Sequence, residues 1–139
     1  MAGNVGTQSL AVTIRVLMDE NLTGKDKLKL VVKEMKVGFC NGALLGIMAL
    51  VYLGIYIALF KGYAFGTAMV ISACVGVSLL VAIVISSLIG TLVPMLFHKM
   101  KIDPAVASGP LITTVNDLVA VITYYGLAWI FLIELIHIV

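Results

Sequence analysis

The sequence predicts an all-α integral membrane protein: a helical bundle with three full transmembrane helices and an N-terminal half-span helix. Three observations predict it. Of the 139 residues, 62% are hydrophobic and only 12% are charged, whereas a soluble domain carries about 25% charged residues. Mean hydropathy is +1.17. The uncharged stretches are also long enough to cross the ~30 Å hydrocarbon core, which takes about 20 helical residues. The net charge of +2 is too small and too localised to indicate a nucleic-acid partner. Cys40 and Cys74 stand in separate apolar runs and read as small buried hydrophobes, not as a disulfide framework or a metal pair. The first cation is Arg15, too late for the basic n-region of a signal peptide, so insertion is expected to rely on the spans themselves.

Each element has its own warrant. Residues 4–18 are polar first and apolar later (Leu10, Val12, Ile14, Val16, Leu17). A segment of that length rises too little to cross a bilayer. It reads as the inner half of a span, with a helix lying on the interface as the alternative. Thr23 followed three residues later by Asp26 has the form of a capping box, so a helix begins there and can run on into the membrane. The first full span is 37–60. The uncharged stretch 62–97 is too short for two spans and a turn. It reads as a loop at 62–67 followed by one long helix, in which Pro94 should bend the axis or release one carbonyl. Ala107-Ser108-Gly109 reads as a flexible link, and Pro110 suits the first turn of a third span reaching about residue 133.

The lysines carry the topology. Arg15, Lys25, Lys27, Lys29, Lys33 and Lys36 crowd one connection, Lys99 and Lys101 lie two crossings later, and the connection between has only Lys61. The positive-inside rule then places 15–36 and 98–103 in the cytoplasm and the C-terminus outside. Two stripes of small residues, Gly38/Gly42/Gly46 and Ser78/Ala82/Ser86/Gly90, predict close helix packing, because lipid supplies no hydrophobic drive between helices. Asn41 is expected to hydrogen-bond across one of these contacts.

Asp117 stands inside an uncharged run from Pro104 to Phe131 with no Lys or Arg beside it. An ionisable group at a helix centre costs about 2.5–3.5 kcal/mol even on lenient insertion scales. On a helix Thr113 lies one turn before it and Gly109 one turn earlier. That face offers oxygen ligands of the kind hard cations take; zinc or copper would call for His or Cys. His98 and His137 stand at opposite membrane ends. A cation pathway, a proton relay and a structural carboxylate all remain open on residues alone. An enzyme reading has little behind it, since no Ser/His/Asp set, His cluster or multiple-Asp motif occurs at membrane depth; Glu134 reads as an interface residue.

Ala2-Gly3-Asn4-Val5-Gly6-Thr7-Gln8-Ser9 resembles the Gly-Gly-Asn-x-Gly-x-Gln-Ser signature of the membrane domain of MgtE-type magnesium transporters. Gly76-Val77-Ser78, Gly90-Thr91-Leu92-Val93-Pro94 and the stretch from Asp103-Pro104-Ala105 through Ser108-Gly109-Pro110 to Asp117 are similar to the same domain, in the same order. The resemblance covers nearly the whole chain. It implies a family with five transmembrane helices per subunit, working as a homodimer whose second and fifth helices line a central pore. Residues 4–18 would be the inner half of the second helix, and the full spans helices three to five. Asp117 matches the pore aspartate that meets the permeating Mg²⁺; Thr113, Gly109 and Thr7 fall at pore positions around it, with Asn4 beside them. Residues 1–139 would then form one transmembrane transporter domain in the plasma (inner) membrane, without the first helix, the outer half of the second or the cytoplasmic sensor domains. Those parts would belong to a longer chain or to a second polypeptide. The alternative function is a membrane structural or assembly subunit that does not itself conduct.

Overall fold

In the computed structural model, residues 1–19, 21–108 and 110–135 are described, and among them every regular element is helical. Helix α1 is Ala2–Leu17, α2 is Gly24–Phe60 and α3 is Phe65–Lys99. A 3₁₀ turn, Pro104–Ser108, leads to α4, Pro110–Trp129, which continues as a π-helical stretch, Ile130–Leu135. Helices α2 and α3 are long and apolar enough to cross a membrane.

The capping box forms as read. The Asp26 amide donates to Thr23 Oγ1 at 3.3 Å and the Thr23 amide donates to Asp26 Oδ2 at 3.2 Å, which satisfies two of the amides left open at a helix start. From that cap α2 runs unbroken for 37 residues, about 55 Å at 1.5 Å per residue, so its lysine-bearing turns extend well beyond a bilayer core. The following loop is shorter than expected: α3 starts at Phe65, and only the connection near Gly62 (φ +70°) leaves helical geometry. Pro94 does not end α3, which continues to Lys99. Met100 caps it. Lys101 (φ 58°) then donates to the His98 carbonyl and Ile102 to the Phe97 carbonyl, at 3.1 and 2.9 Å, the bond pair of a Schellman stop.

Helix α3 is the hub, touching α1, α2 and α4. The Gly38/Gly42/Gly46 stripe does meet α3, at Ser87, Leu80 and Gly76 in turn. A methyl added at Gly46 would come within 2.9 Å of the Gly76 carbonyl oxygen, so the two backbones touch there. The other stripe is used differently. Ala82 packs with Ala2, Val5 and Ile83, and Gly90 abuts the Gly6 carbonyl, so this face of α3 holds α1. Farther along, Leu10 sits among Ile14, Ile89, Val93 and Phe97. Buried hydroxyls mostly satisfy themselves on their own helix: Ser72, Ser78, Thr91 and Thr13 each donate to the carbonyl four residues back at 2.7–2.9 Å. Ser87 instead donates to the Glu34 carbonyl of α2 at 2.8 Å. Its proton being used, it accepts from Ser9 of α1 at 2.8 Å, and one serine ties three helices.

Two expectations are corrected. Cys40 is exposed on α2 while Cys74 is buried, because α2 buries only the narrow glycine seam on which Cys40 does not lie. Asn41, at the margin of that seam, makes no hydrogen bond among the described residues.

Candidate cation site

Helix α1 is split lengthwise. Val5, Ser9, Leu10, Thr13 and Leu17 are buried, whereas Asn4, Thr7, Gln8, Ala11 and Arg15 are exposed. The second set recurs every three or four residues, as one face of a helix must. That exposed edge is polar, the reverse of what a lipid-facing helix presents. On α4, Thr113 and Asp117 are likewise exposed and lie one turn apart, while Asn116 between them is wholly buried.

The two helices meet at the carboxylate. A methyl placed on Gly3 would overlap Asp117 Oδ1, so the Asp117 carboxylate rests against the α1 backbone and an alanine there would push it aside. One turn on, a methyl on Gly6 would lie 2.5 Å from Asn116 Nδ2 and 2.8 Å from the Ser86 carbonyl oxygen. The glycines beside Asn4 and Thr7 are thus the places where α4 and α3 press onto α1. Thr7 Oγ1 donates to the Gly3 carbonyl at 2.9 Å; with its proton committed, the hydroxyl presents oxygen lone pairs, as a cation ligand requires.

No ion pair neutralises Asp117; among the described residues the sole pair is Lys29–Asp26 at 3.8 Å. Asp117 lines an open cavity of about 680 Å³ with Gly3, Leu53, Leu79 and Tyr124, a wall that is otherwise mainly apolar. Among the described residues no three His, Cys, Asp or Glu side chains gather into one group. One chain therefore offers a single carboxylate with neutral oxygens, a set that suits a hard cation keeping much of its water.

Residues 1–127 match the MgtE family profile, described as a divalent cation transporter. The chain belongs to the MgtE family. It is 37% identical over 132 residues to the magnesium transporter MgtE of Bacillus subtilis (strain 168), covering 95% of this chain and 27% of that protein. The corresponding protein of Enterococcus faecalis is 36% identical over 131 residues (94% and 27%), and that of Thermus thermophilus 31% identical over 126 (91% and 26%). The chain thus spans about a quarter of the length of these relatives.

Of the MgtE positions named from sequence, Asp117, Thr113, Asn4 and Thr7 are all exposed on the adjoining helices α1 and α4. Asp117 is the one placed in direct contact with the signature, through Gly3. Gly109 and His137 lie outside the described residues. Sequence reading did not assign Gly3, Gly6, Ser86 or Asn116 to the site. A signal existed for Asn116, a second polar residue beside Asp117 in an apolar run.

Proposed function

We propose that this chain is the ion-conducting part of a Mg²⁺ transporter, passing the ion passively inward through a pore on a homodimer axis. The observation that carries the reading is the unpaired Asp117 carboxylate beside Asn4, Thr7 and Thr113 on the exposed edge of an otherwise apolar bundle. Such an edge is costly against hydrocarbon and cheap against water or a second copy of itself. Two-fold dimers are the commonest oligomers, and an isologous contact across α1 and α4 brings two Asp117 side chains to one axis. In that arrangement α2, α3 and α4 each cross the plasma membrane, α1 is the inner half of a crossing, and the C-terminus is outside.

Mg²⁺ arrives hydrated, exchanges part of its shell near the paired carboxylates, and takes further contacts from Thr113, Thr7 and Asn4, with Gly109 four residues before Thr113 in the sequence. Binding oxygens of limited number and field strength admit the ion and release it again. The membrane potential drives entry: about 2.3 kcal/mol per charge per 100 mV gives a dication about 4.6 kcal/mol, without a coupled ion. The relatives named as magnesium transporters support the choice of ion.

The test is Mg²⁺ flux into proteoliposomes holding the protein with Asp117→Asn. Loss of flux with unchanged dimer assembly is the expected result. Undiminished flux removes Asp117 from the pathway, and loss of assembly without any ion dependence favours the structural-subunit reading.

A further inference from the structure

We infer that Asn116 and Ser86 form a polar latch inside the membrane that sets the rotation of α4, making Asn116 a positioning residue for Asp117. The inference rests on the cation-site reading above and adds what holds that site in place. Three buried side-chain atoms among the described residues lack a hydrogen-bond partner: Ser86 Oγ, Asn116 Nδ2 and Asn116 Oδ1. They belong to two residues that close on the same point of α1, since a methyl at Gly6 would meet both the Asn116 amide and the Ser86 carbonyl. Both side chains are 0% exposed.

In hydrocarbon no bulk water satisfies such groups, and each orphan costs several kcal/mol. The other buried hydroxyls avoid this, Ser72, Ser78, Thr91 and Thr13 on their own helix and Ser9 and Ser87 across helices, but the Asn116 amide stands against α1 at Gly6 with no partner. The inventory of donors and acceptors then leaves a reciprocal pair: Ser86 Oγ–H donates to Asn116 Oδ1, and Asn116 Nδ2–H donates to the second lone pair of the Ser86 carbonyl. The nook that receives the amide exists because Gly6 and Gly90 carry no side chains; Gly90 lies directly on the Gly6 carbonyl.

The functional consequence follows from helix geometry. Consecutive residues are about 100° apart around an α-helix. With Asn116 drawn inward to the α1–α3 junction, Asp117 is turned to the exposed edge, against Gly3. An aliphatic residue of similar volume would pack at position 116 at lower polar cost, but it would leave α4 free to roll and the carboxylate without a defined aim. When the binding-competent orientation is only partly populated, apparent affinity falls by that fraction.

The experiment compares the parent protein with Asn116→Leu, Ser86→Ala, the double variant and Asp117→Asn in lipid nanodiscs. Mg²⁺ titration is one readout. The other is the rate at which a charged thiol reagent modifies Asp117→Cys in a background with Cys40→Ser and Cys74→Ser. Interhelical hydrogen bonds in membranes are worth about 0.6–2 kcal/mol, so each latch variant should weaken Mg²⁺ binding roughly three- to thirtyfold. The double variant should be little worse than either single one, because the two share one interaction. Ser86→Ala keeps the test open if the leucine variant fails to assemble. Affinities equal to the parent's in both latch variants, with binding lost in Asp117→Asn, overturn the latch and leave the proposed function standing. If the parent itself binds no Mg²⁺, the proposed function fails and the thiol rate decides the latch: a rate changed by Ser86→Ala supports it, an unchanged rate overturns it.

Discussion

One methyl group separates the glycines that build the site from those that do not. A Cβ at Gly6 would press on the Asn116 amide, which is boxed in, and on the Ser86 backbone, which cannot give way. Gly6→Ala is therefore expected to destabilise the bundle by about 1–3 kcal/mol, as overpacking does, and thermal unfolding in detergent measures it. At Gly3 the obstacle is the tip of a side chain, Asp117 Oδ1, so Gly3→Ala should leave unfolding nearly unchanged and instead displace the carboxylate, weakening Mg²⁺ binding in a titration. Gly24 supplies the control. Nothing lies within 4 Å of its added Cβ, and Gly24→Ala should stabilise by about 0.4–1 kcal/mol, through the lost freedom of the unfolded chain.

Among the elements, the start of α2 and the end of α3 make separate predictions. The hydrogen bonds from the Thr23 side chain and backbone hold the Asp26 carboxyl below its ordinary value of 3.8. A depressed carboxylate stabilises the folded cap above the unfolded pKa, and that contribution disappears as pH falls through the folded one. Amide-exchange protection in the first turn of α2 should hold from neutral pH down to about 4 and decline below it; Thr23→Ala, which keeps the backbone donor but loses the hydroxyl, should weaken that pH dependence. At the end of α3, Lys101 stops the helix in the left-handed region (φ 58°), where glycine carries no Cβ penalty. Lys101→Gly is expected to raise stability by up to about 1 kcal/mol, and an unchanged melting temperature would count against strain at that stop.

For the whole molecule, the asymmetry of exposure matters most. Helix α2 shows lipid an apolar surface such as Ile47, Val51, Ile55 and Leu59, while the α1–α4 edge shows Asn4, Thr7, Gln8, Thr113 and Asp117. If that edge meets its own copy, Mg²⁺ should bind with one ion per two chains, and dilution that separates the dimer should remove binding. Native mass spectrometry over a concentration series checks both, and binding by the monomer at full affinity would contradict a shared site.

Much of this was legible in the sequence because it depends on local chemistry. Hydropathy marked the long helices, Thr23 and Asp26 marked a start, and the cost of a lone carboxylate singled out Asp117. One helix boundary drifted by a few residues, at Phe65, because packing on neighbours lets a helix begin early. Which face each small-residue stripe serves was not legible. Gly38, Gly42 and Gly46 announce a close approach but not its partner, and Ser86 looks like any other stripe member until α1 and α4 converge on it. What the sequence determined by itself was the predominance of long apolar helices and the presence of a lone carboxylate among them. Only the tertiary structure decided that the charge lies against Gly3 and that its neighbour Asn116 is locked inside, because contacts between residues far apart in the chain arise from packing and leave no local pattern.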